Sequence, residues 1–135
     1  MKLAFTLIVL ATGIVLASTN SQLVTSEKIH ELHKERISTL KRMADMNIAA
    51  FKKGESSYEE AFQARLLLHE AELDASETGQ ERIKCCENIV ELSKEKEANL
   101  PASFNRGEVN AATMLKAKAD RLKAEIELER AKSGH

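Results

Sequence analysis

The chain has 135 residues, and its 20 Lys and Arg residues are balanced by 21 Asp and Glu residues, for a formal net charge of −1. This balance argues against nucleic acid as a partner. The chain has no Trp, and aromatic residues make up only 4% of it. A globular domain would therefore have a thin core, and rows of Ala and Leu on long paired helices suit this composition better.

The N-terminus has the order of features that a secretory signal peptide requires. Met1-Lys2 is followed by an apolar run from Leu3 to Leu16, and the polar residues Ser18-Thr19-Asn20 come next. This order predicts a signal peptide over residues 1–17, cleaved after Ala17, and an exported protein, periplasmic or secreted. The alternative is a retained membrane anchor, but the run is shorter than the roughly 20 residues that span a bilayer. We expect no membrane span after cleavage.

Residues 18–25 are polar and lack periodicity, which predicts a flexible leader before a helical region at residues 26–133. Helix A is predicted from about Ser26 to Lys53. Its apolar residues recur at steps of three or four, as an amphipathic helix requires. They are Ile29, Leu32, Ile37, Leu40, Met43, Ala44, Ile48 and Phe51.

Gly54 can end helix A in a left-handed conformation, and Ser57 with Glu60 forms a capping-box pattern for the next helix. Helix B is therefore predicted from about Tyr58 to Ser76. Its wide apolar face should be covered from two sides. That face consists of Ala61, Ala64, Leu68, Ala71 and Ala75, flanked by Phe62, Leu66 and Leu73.

A second capping-box pattern, Thr78 with Glu81, predicts the start of helix C. Pro101 predicts a kink or a local restart between Asn99 and Ser103, because proline removes a backbone donor and crowds the preceding turn. The apolar positions of helix C are Ile83, Cys86, Val90, Leu100 and Phe104.

Gly107 should end helix C, and helix D is predicted to open near Asn110 and to fray over residues 133–135. One side of helix D carries Leu115, Ala119, Leu122 and Ile126, an apolar stripe on which we expect folding or assembly to depend. The predicted fold is thus all-α, with elongated antiparallel helical hairpins or a coiled coil of about four helices after the signal peptide.

The chain contains an internal repeat. Phe51-Lys52-Lys53-Gly54-Glu55 returns 53 residues later as Phe104-Asn105-Arg106-Gly107-Glu108, and the copies extend over about residues 49–75 and 102–128. Each copy should be one supersecondary unit, in which a helix end, a glycine break and a second helix follow one another. Downstream matches are Ala64 with Ala117, Ala71 with Ala124, and Glu72 with Glu125.

This unit resembles the helical repeat of TolC-type outer-membrane efflux proteins, in which the pattern appears once in each half of the protomer. The likeness covers roughly residues 44–131. It is carried in the first copy by the Phe51-x-x-Gly54-Glu55 turn with Ala64, Leu68 and Ala71-Glu72-Leu73, and in the second copy by Phe104, Gly107, Glu108, Leu115, Ala117, Leu122, Ala124 and Glu125.

Two departures limit what the resemblance implies. The family separates its halves by long helices and barrel-forming strands, whereas here 53 residues separate the copies and no strand-like alternation is present. The Ala-Gln pair common in the family is Ala64-Arg65 and Ala117-Lys118 here. The resemblance therefore implies an exported helical hairpin similar to the periplasmic coiled-coil portion, without the pore.

Two groups of residues could carry chemistry. Glu27, His30 and His33 could share a helix face, but a di-iron bundle needs a second Glu-x-x-His motif, which the sequence lacks. A zinc or copper site completed by another chain remains an alternative. A bond between the adjacent Cys85 and Cys86 would break a helix, so we expect Cys86 in the core and Cys85 partly exposed, with an intermolecular disulfide as the alternative.

The sequence has no pattern typical of nucleophilic catalysis and no glycine loop that could cradle phosphate. We predict no catalytic, cofactor-binding or metal-binding residues, no small-molecule substrate and no enzyme activity. The predicted function is that of an exported helical coiled-coil protein that pairs with itself or with envelope proteins. The alternative is a small envelope metal-binding or chaperone-like stress protein, suggested by His30, His33, Met43 and Met46.

Overall fold

The computed structural model describes the fold of residues 15–134 and the side chains of residues 24–134. This part of the chain forms four α-helices and no strands, which confirms the all-α prediction. The helices are α1 (Val15–Lys52), α2 (Tyr58–Asp74), α3 (Gly79–Asn105) and α4 (Ala111–Ser133). Most of the predicted signal peptide, residues 1–17, lies outside the described residues.

The first helix begins at Val15, well before the predicted start at Ser26. It includes residues 18–25, for which a flexible leader was expected, because neither glycine nor proline stands between Gly13 and Gly54 to interrupt it. Polar composition alone does not end a helix.

The chain divides into two units, with the boundary after Leu32. In the first unit, Ile29 and Leu32 of the apolar series of helix A are exposed. The described part of this unit is a single helix, which has no second helix within the unit to cover them. All further description concerns residues 33–134.

The two glycine turns of the sequence repeat have the same backbone geometry. Gly54 has φ +75° and Gly107 has φ +74°. In the first turn the N–H of Gly54 donates to the carbonyl of Phe51 at 2.9 Å, and that of Glu55 donates to Ala50 at 2.9 Å. The second turn repeats both bonds, from Gly107 to Phe104 at 2.9 Å and from Glu108 to Ser103 at 3.0 Å. This is the Schellman pattern, so the sequence repeat is also a structural repeat.

The helix starts are capped as the sequence predicts. Ser57 and Thr78 each form a capping box, with Glu60 and Glu81 respectively. Asn110, which is the repeat equivalent of Ser57, accepts a hydrogen bond from the N–H of Thr113 at 2.9 Å. Side-chain oxygens thus satisfy backbone donors that the first turn of each helix leaves unpaired.

Helix α3 is continuous through Pro101 and ends at Asn105, so the predicted restart between Asn99 and Ser103 is absent. One missing backbone bond is tolerated here because Leu100, on the same turn, is buried and holds the helix in place. At the other end of the chain, α4 extends to Ser133 and is closed by Gly134 in a left-handed conformation, where fraying was expected.

Helix α3 packs against both α2 and α4. The ion pairs between α2 and α3 join residues in reverse chain order, Glu59 with Lys96 and Arg65 with Glu95. Leu92 of α3, which lies outside the predicted apolar stripe, is only 1% exposed. The matched alanines Ala64, Ala71, Ala117 and Ala124 are buried, and their small side chains allow the helices to approach closely. The apolar core comprises Ala44, Ala61, Phe62, Ala64, Ala71, Cys86, Val90, Leu92, Leu100, Ala117 and Ala124.

The adjacent cysteines occupy the environments that the sequence predicts. Cys86 is buried and Cys85 is half-buried, and both are free thiols. Burial raises the pKa of the Cys86 thiol. Cys86 therefore serves as a small core residue, which is the commonest role of a buried free cysteine.

Candidate interaction surface

The contact between α2 and α3 is held by charged side chains at one end. Arg65 donates from Nη1 to both carboxylate oxygens of Glu95, at 2.9 and 2.8 Å. Lys96 donates to Oε1 of Glu59 at 2.8 Å, and its Nζ lies 4.2 Å from the ring centre of Phe62. These contacts combine ion pairs with a cation–π interaction, and they fix the register of the two helices.

Two ionisable groups at this contact have shifted pKa values. Burial raises the pKa of Tyr58, with a smaller contribution from the charge of Glu95. Burial also acts to raise the pKa of Glu59, but hydrogen bonds from Lys96 and Gln63 outweigh it and lower that pKa. Glu59 is therefore held as a carboxylate.

The rest of the α2 face toward α3 is apolar. Phe62 is buried, and Leu66 and Leu73 line a groove of about 390 Å³ together with Cys86 and Ile89. Along the same face, His69 borders a second groove beside Leu92 and Glu95. His69 lies 2.9 Å from Glu72 through Nδ1, as expected of an interface histidine. The row at positions 62, 66, 69 and 73 of α2 thus lies beside α3, with Phe62 buried and the other three side chains half-buried.

The same row recurs on α4 and is exposed. The repeat equivalents of positions 62, 66, 69 and 73 are Leu115, Ala119, Leu122 and Ile126, which we call the α4 stripe. Leu115 is 69% exposed, Leu122 44% and Ile126 53%, and Ala119 is also exposed. The row is therefore not covered by the rest of the described chain.

The reason is that α4 packs on α3 through a different side. Ala117 and Ala124 are buried there, and Arg121 bridges the two helices by donating to Glu97. Arg121 also donates to Glu125 at 2.8 Å, and these hydrogen bonds raise its pKa. Alanine allows a closer helix approach than leucine, so the less hydrophobic side forms the intramolecular contact.

Charged residues border the α4 stripe on both sides. Lys118 and Glu125 lie on one flank, and Lys116 and Lys123 lie on the other. Lys116 is paired within the helix with Asp120 at 2.6 Å. The surface is therefore an apolar row with a polar rim, which is the composition of a helix–helix interface.

No other kind of site emerges from the described residues. They contain no group of three or more His, Cys, Asp and Glu side chains that could hold a metal ion, so Glu27, His30 and His33 do not form such a group. No helix in the described part of the chain is both long and apolar enough to cross a membrane.

Comparison with known proteins adds no further information on this surface. No protein-family profile, curated protein or solved structure matches the chain. The repeat itself is the available guide, because it relates a buried or half-buried face on α2 to an exposed one on α4. Comparing the two copies position by position would have pointed to the α4 stripe from sequence.

Proposed function

We propose that the protein is an exported, non-catalytic interaction protein of the cell envelope that binds a partner helix through the α4 stripe. In this proposal its helical hairpins form a coiled-coil body similar to the periplasmic helical part of efflux proteins. The observation that carries the proposal is the exposure of Leu115, Leu122 and Ile126 at positions whose counterparts on α2 are buried or half-buried beside α3.

The physical argument is that such a row is unfavourable in water. Scattered exposed leucines are ordinary, but three large apolar residues at a spacing of three to seven residues along one helix form a continuous strip. Burial of apolar surface contributes about 25 cal/mol per Å², so a second amphipathic helix would be stabilised on this strip. Helix-in-groove recognition and coiled-coil pairing both use such spacing.

A photo-reactive residue that replaces Ala119 tests the binding surface in cells. Irradiation should give a crosslinked product in the envelope fraction, and Leu122→Asp in the same chain should abolish it. The matched control places the photo-reactive residue at Ala98, which is exposed on α3. If position 119 gives no light-dependent product, or position 98 gives the same one, the α4 stripe is not a binding surface.

Export is tested separately by N-terminal sequencing of the protein from the envelope fraction. The proposal expects a mature N-terminus at Ser18, because the charge, the apolar run and the small-residue boundary occur in the required order. Recovery of an intact Met1-Lys2 start would reject cleavage and favour a retained anchor.

A further inference from the structure

We infer that the partner of the α4 stripe is the α4 stripe of a second copy of this chain, packed antiparallel across a two-fold axis. The inference rests on the proposed function, since it names the partner of the same surface. Four observations decide the partner and its direction: the sizes of the stripe residues, the charges on its rim, its small area and the charge that α1 would bring.

The sizes of the stripe residues fit an antiparallel pair. In that arrangement Leu115 faces Ile126 of the second copy, and Ala119 faces Leu122 of the second copy, so that small and large side chains alternate. A parallel pair would place Ala119 against Ala119 and leave a gap. It would also place Glu129, the next residue of the row, against its own copy.

The charges on one flank of the stripe also fit. The antiparallel register brings Lys118 of each copy beside Glu125 of the other, and the two-fold symmetry makes this contact twice. On the opposite flank Lys116 approaches Lys123 of the second copy. Asp120 lies 2.6 Å from Lys116 in the same helix and offsets part of that repulsion.

The α1 helix of a second copy is a poorer partner for the same stripe. In such a contact, α4 of one chain would pack on α1 of a second copy in the way that α2 packs on α3 within one chain. Lys118 is the repeat equivalent of Arg65, and Arg42, which stands 53 residues before Glu95 and outside the repeat, would take the place of Glu95. The ion pair between Arg65 and Glu95 would thus be replaced by two facing cations, which destabilise such a contact.

The size of the stripe sets the strength of the dimer. Four side chains from each copy bury less than the about 800 Å² per partner of a standard stable interface. We therefore expect a reversible dimer with a dissociation constant on the order of 10 to 100 μM. At lower concentration the protein should be a monomer.

Analytical ultracentrifugation of protein purified from the envelope fraction, under reducing conditions, tests the inference. Leu122→Asp should weaken the dimer at least 100-fold, because it places a carboxylate in the apolar row. The matched control is Leu67→Asp on α2, because Leu67 is 42% exposed and Leu122 is 44% exposed. Leu67→Asp should change dimerisation by less than threefold.

A charge swap tests the antiparallel direction without touching the apolar row. Lys118→Glu and Glu125→Lys should each weaken the dimer about tenfold, since each turns two attractions into two repulsions. The two changes together should restore wild-type affinity within about threefold. A stronger dimer with Lys118→Glu alone would overturn the inference, because a parallel pair places residue 118 beside Lys123.

Failure of the inference and failure of the proposed function give different results. A protein that stays monomeric at 1 mM overturns the self-association. If position 119 still crosslinks in cells to a different protein, the stripe binds another helix, and only the identity of the partner is wrong. Lys118 is exposed, so circular dichroism of Lys118→Glu should match the wild type. Glu125 is half-buried and accepts from Arg121 at 2.8 Å, so Glu125→Lys and the double variant are compared with the wild type only where their melting curves show them folded.

Discussion

At the scale of single residues, the turns of this protein depend on backbone conformations that few residues adopt. Gly54 and Gly107 both have φ near +75°, a region in which a Cβ atom crowds the following carbonyl oxygen. A Cβ built on either residue would have no heavy atom within 4 Å. The constraint at both turns is therefore conformational strain and not lack of space.

Replacing either turn glycine by alanine should destabilise the protein. We expect Gly54→Ala and Gly107→Ala each to lower the free energy of unfolding by about 1 kcal/mol, measured by urea denaturation. The control is Gly79→Ala, because Gly79 lies in the first turn of α3, has no positive φ and also has room for a Cβ. This change should raise stability by about 0.5 kcal/mol. Equal effects at all three glycines would contradict the argument.

The two capping boxes should make the stability of the folded protein depend on pH in the acid range. Hydrogen bonds from backbone N–H groups lower the pKa of Glu60, chiefly from Ser57, and that of Glu81, chiefly from Thr78. A lowered folded-state pKa means that the carboxylates stabilise the fold at pH above the ordinary value of 4.5, and that this stabilisation is lost as pH falls through the folded values.

We therefore expect the urea midpoint of the wild type to fall below pH 4.5, and the double variant Glu60→Gln with Glu81→Gln to show a shallower fall. Glutamine keeps an acceptor for the capping box but carries no charge, so the variant should be less stable than the wild type at pH 7 and should approach it at low pH. Parallel pH profiles for the two proteins would rule out this role of the carboxylates.

At the scale of helices, α4 illustrates what a single sequence can and cannot predict. The helix, its start near Asn110 and the preceding glycine turn follow from local chemistry, and all three were predicted. The side of α4 that packs on α3 was not predicted, because it depends on how closely the two backbones approach. The hydrophobic pattern favours the side of α4 that carries Leu115, Leu122 and Ile126. A short distance between the two backbones favours instead the side that carries Ala117 and Ala124.

Buried alanines should therefore resist enlargement. Ala71 is fully buried on α2, and Ala71→Leu should destabilise the protein by about 1 to 3 kcal/mol, because the added atoms force the helices apart. Ala98→Leu on the exposed side of α3 is the matched control and should change stability by less than about 0.5 kcal/mol. If thermal melts show the two variants to be equally stable, the close approach at Ala71 is not needed.

At the scale of the whole chain, local signals and long-range contacts were predictable to different degrees. Fold class, both capping boxes and the environments of Cys85 and Cys86 follow from residue chemistry and helical period. The burial of Leu92 does not, because it depends on the rest of the structure. The ion pair between Arg65 and Glu95 joins positions 30 residues apart, which a local pattern does not reveal.

The competing metal-binding hypothesis makes a prediction that differs from that of a helical interaction protein. Zinc bound to the folded state would raise the melting temperature by mass action, by several degrees at 100 times the dissociation constant. Since the described residues contain no group of three or more metal-binding side chains, we expect added zinc to leave the melting temperature unchanged.

The double variant His30→Ala with His33→Ala completes this comparison. Imidazole nitrogen is a common zinc ligand, so the metal-binding hypothesis expects any shift with zinc to disappear in this variant. The interaction hypothesis instead expects wild-type and variant proteins to melt at the same temperature, with or without the metal. A zinc-dependent rise that the variant lacks would show that a second chain supplies the missing ligands, and would assign this end of α1, not α4, as the functional surface.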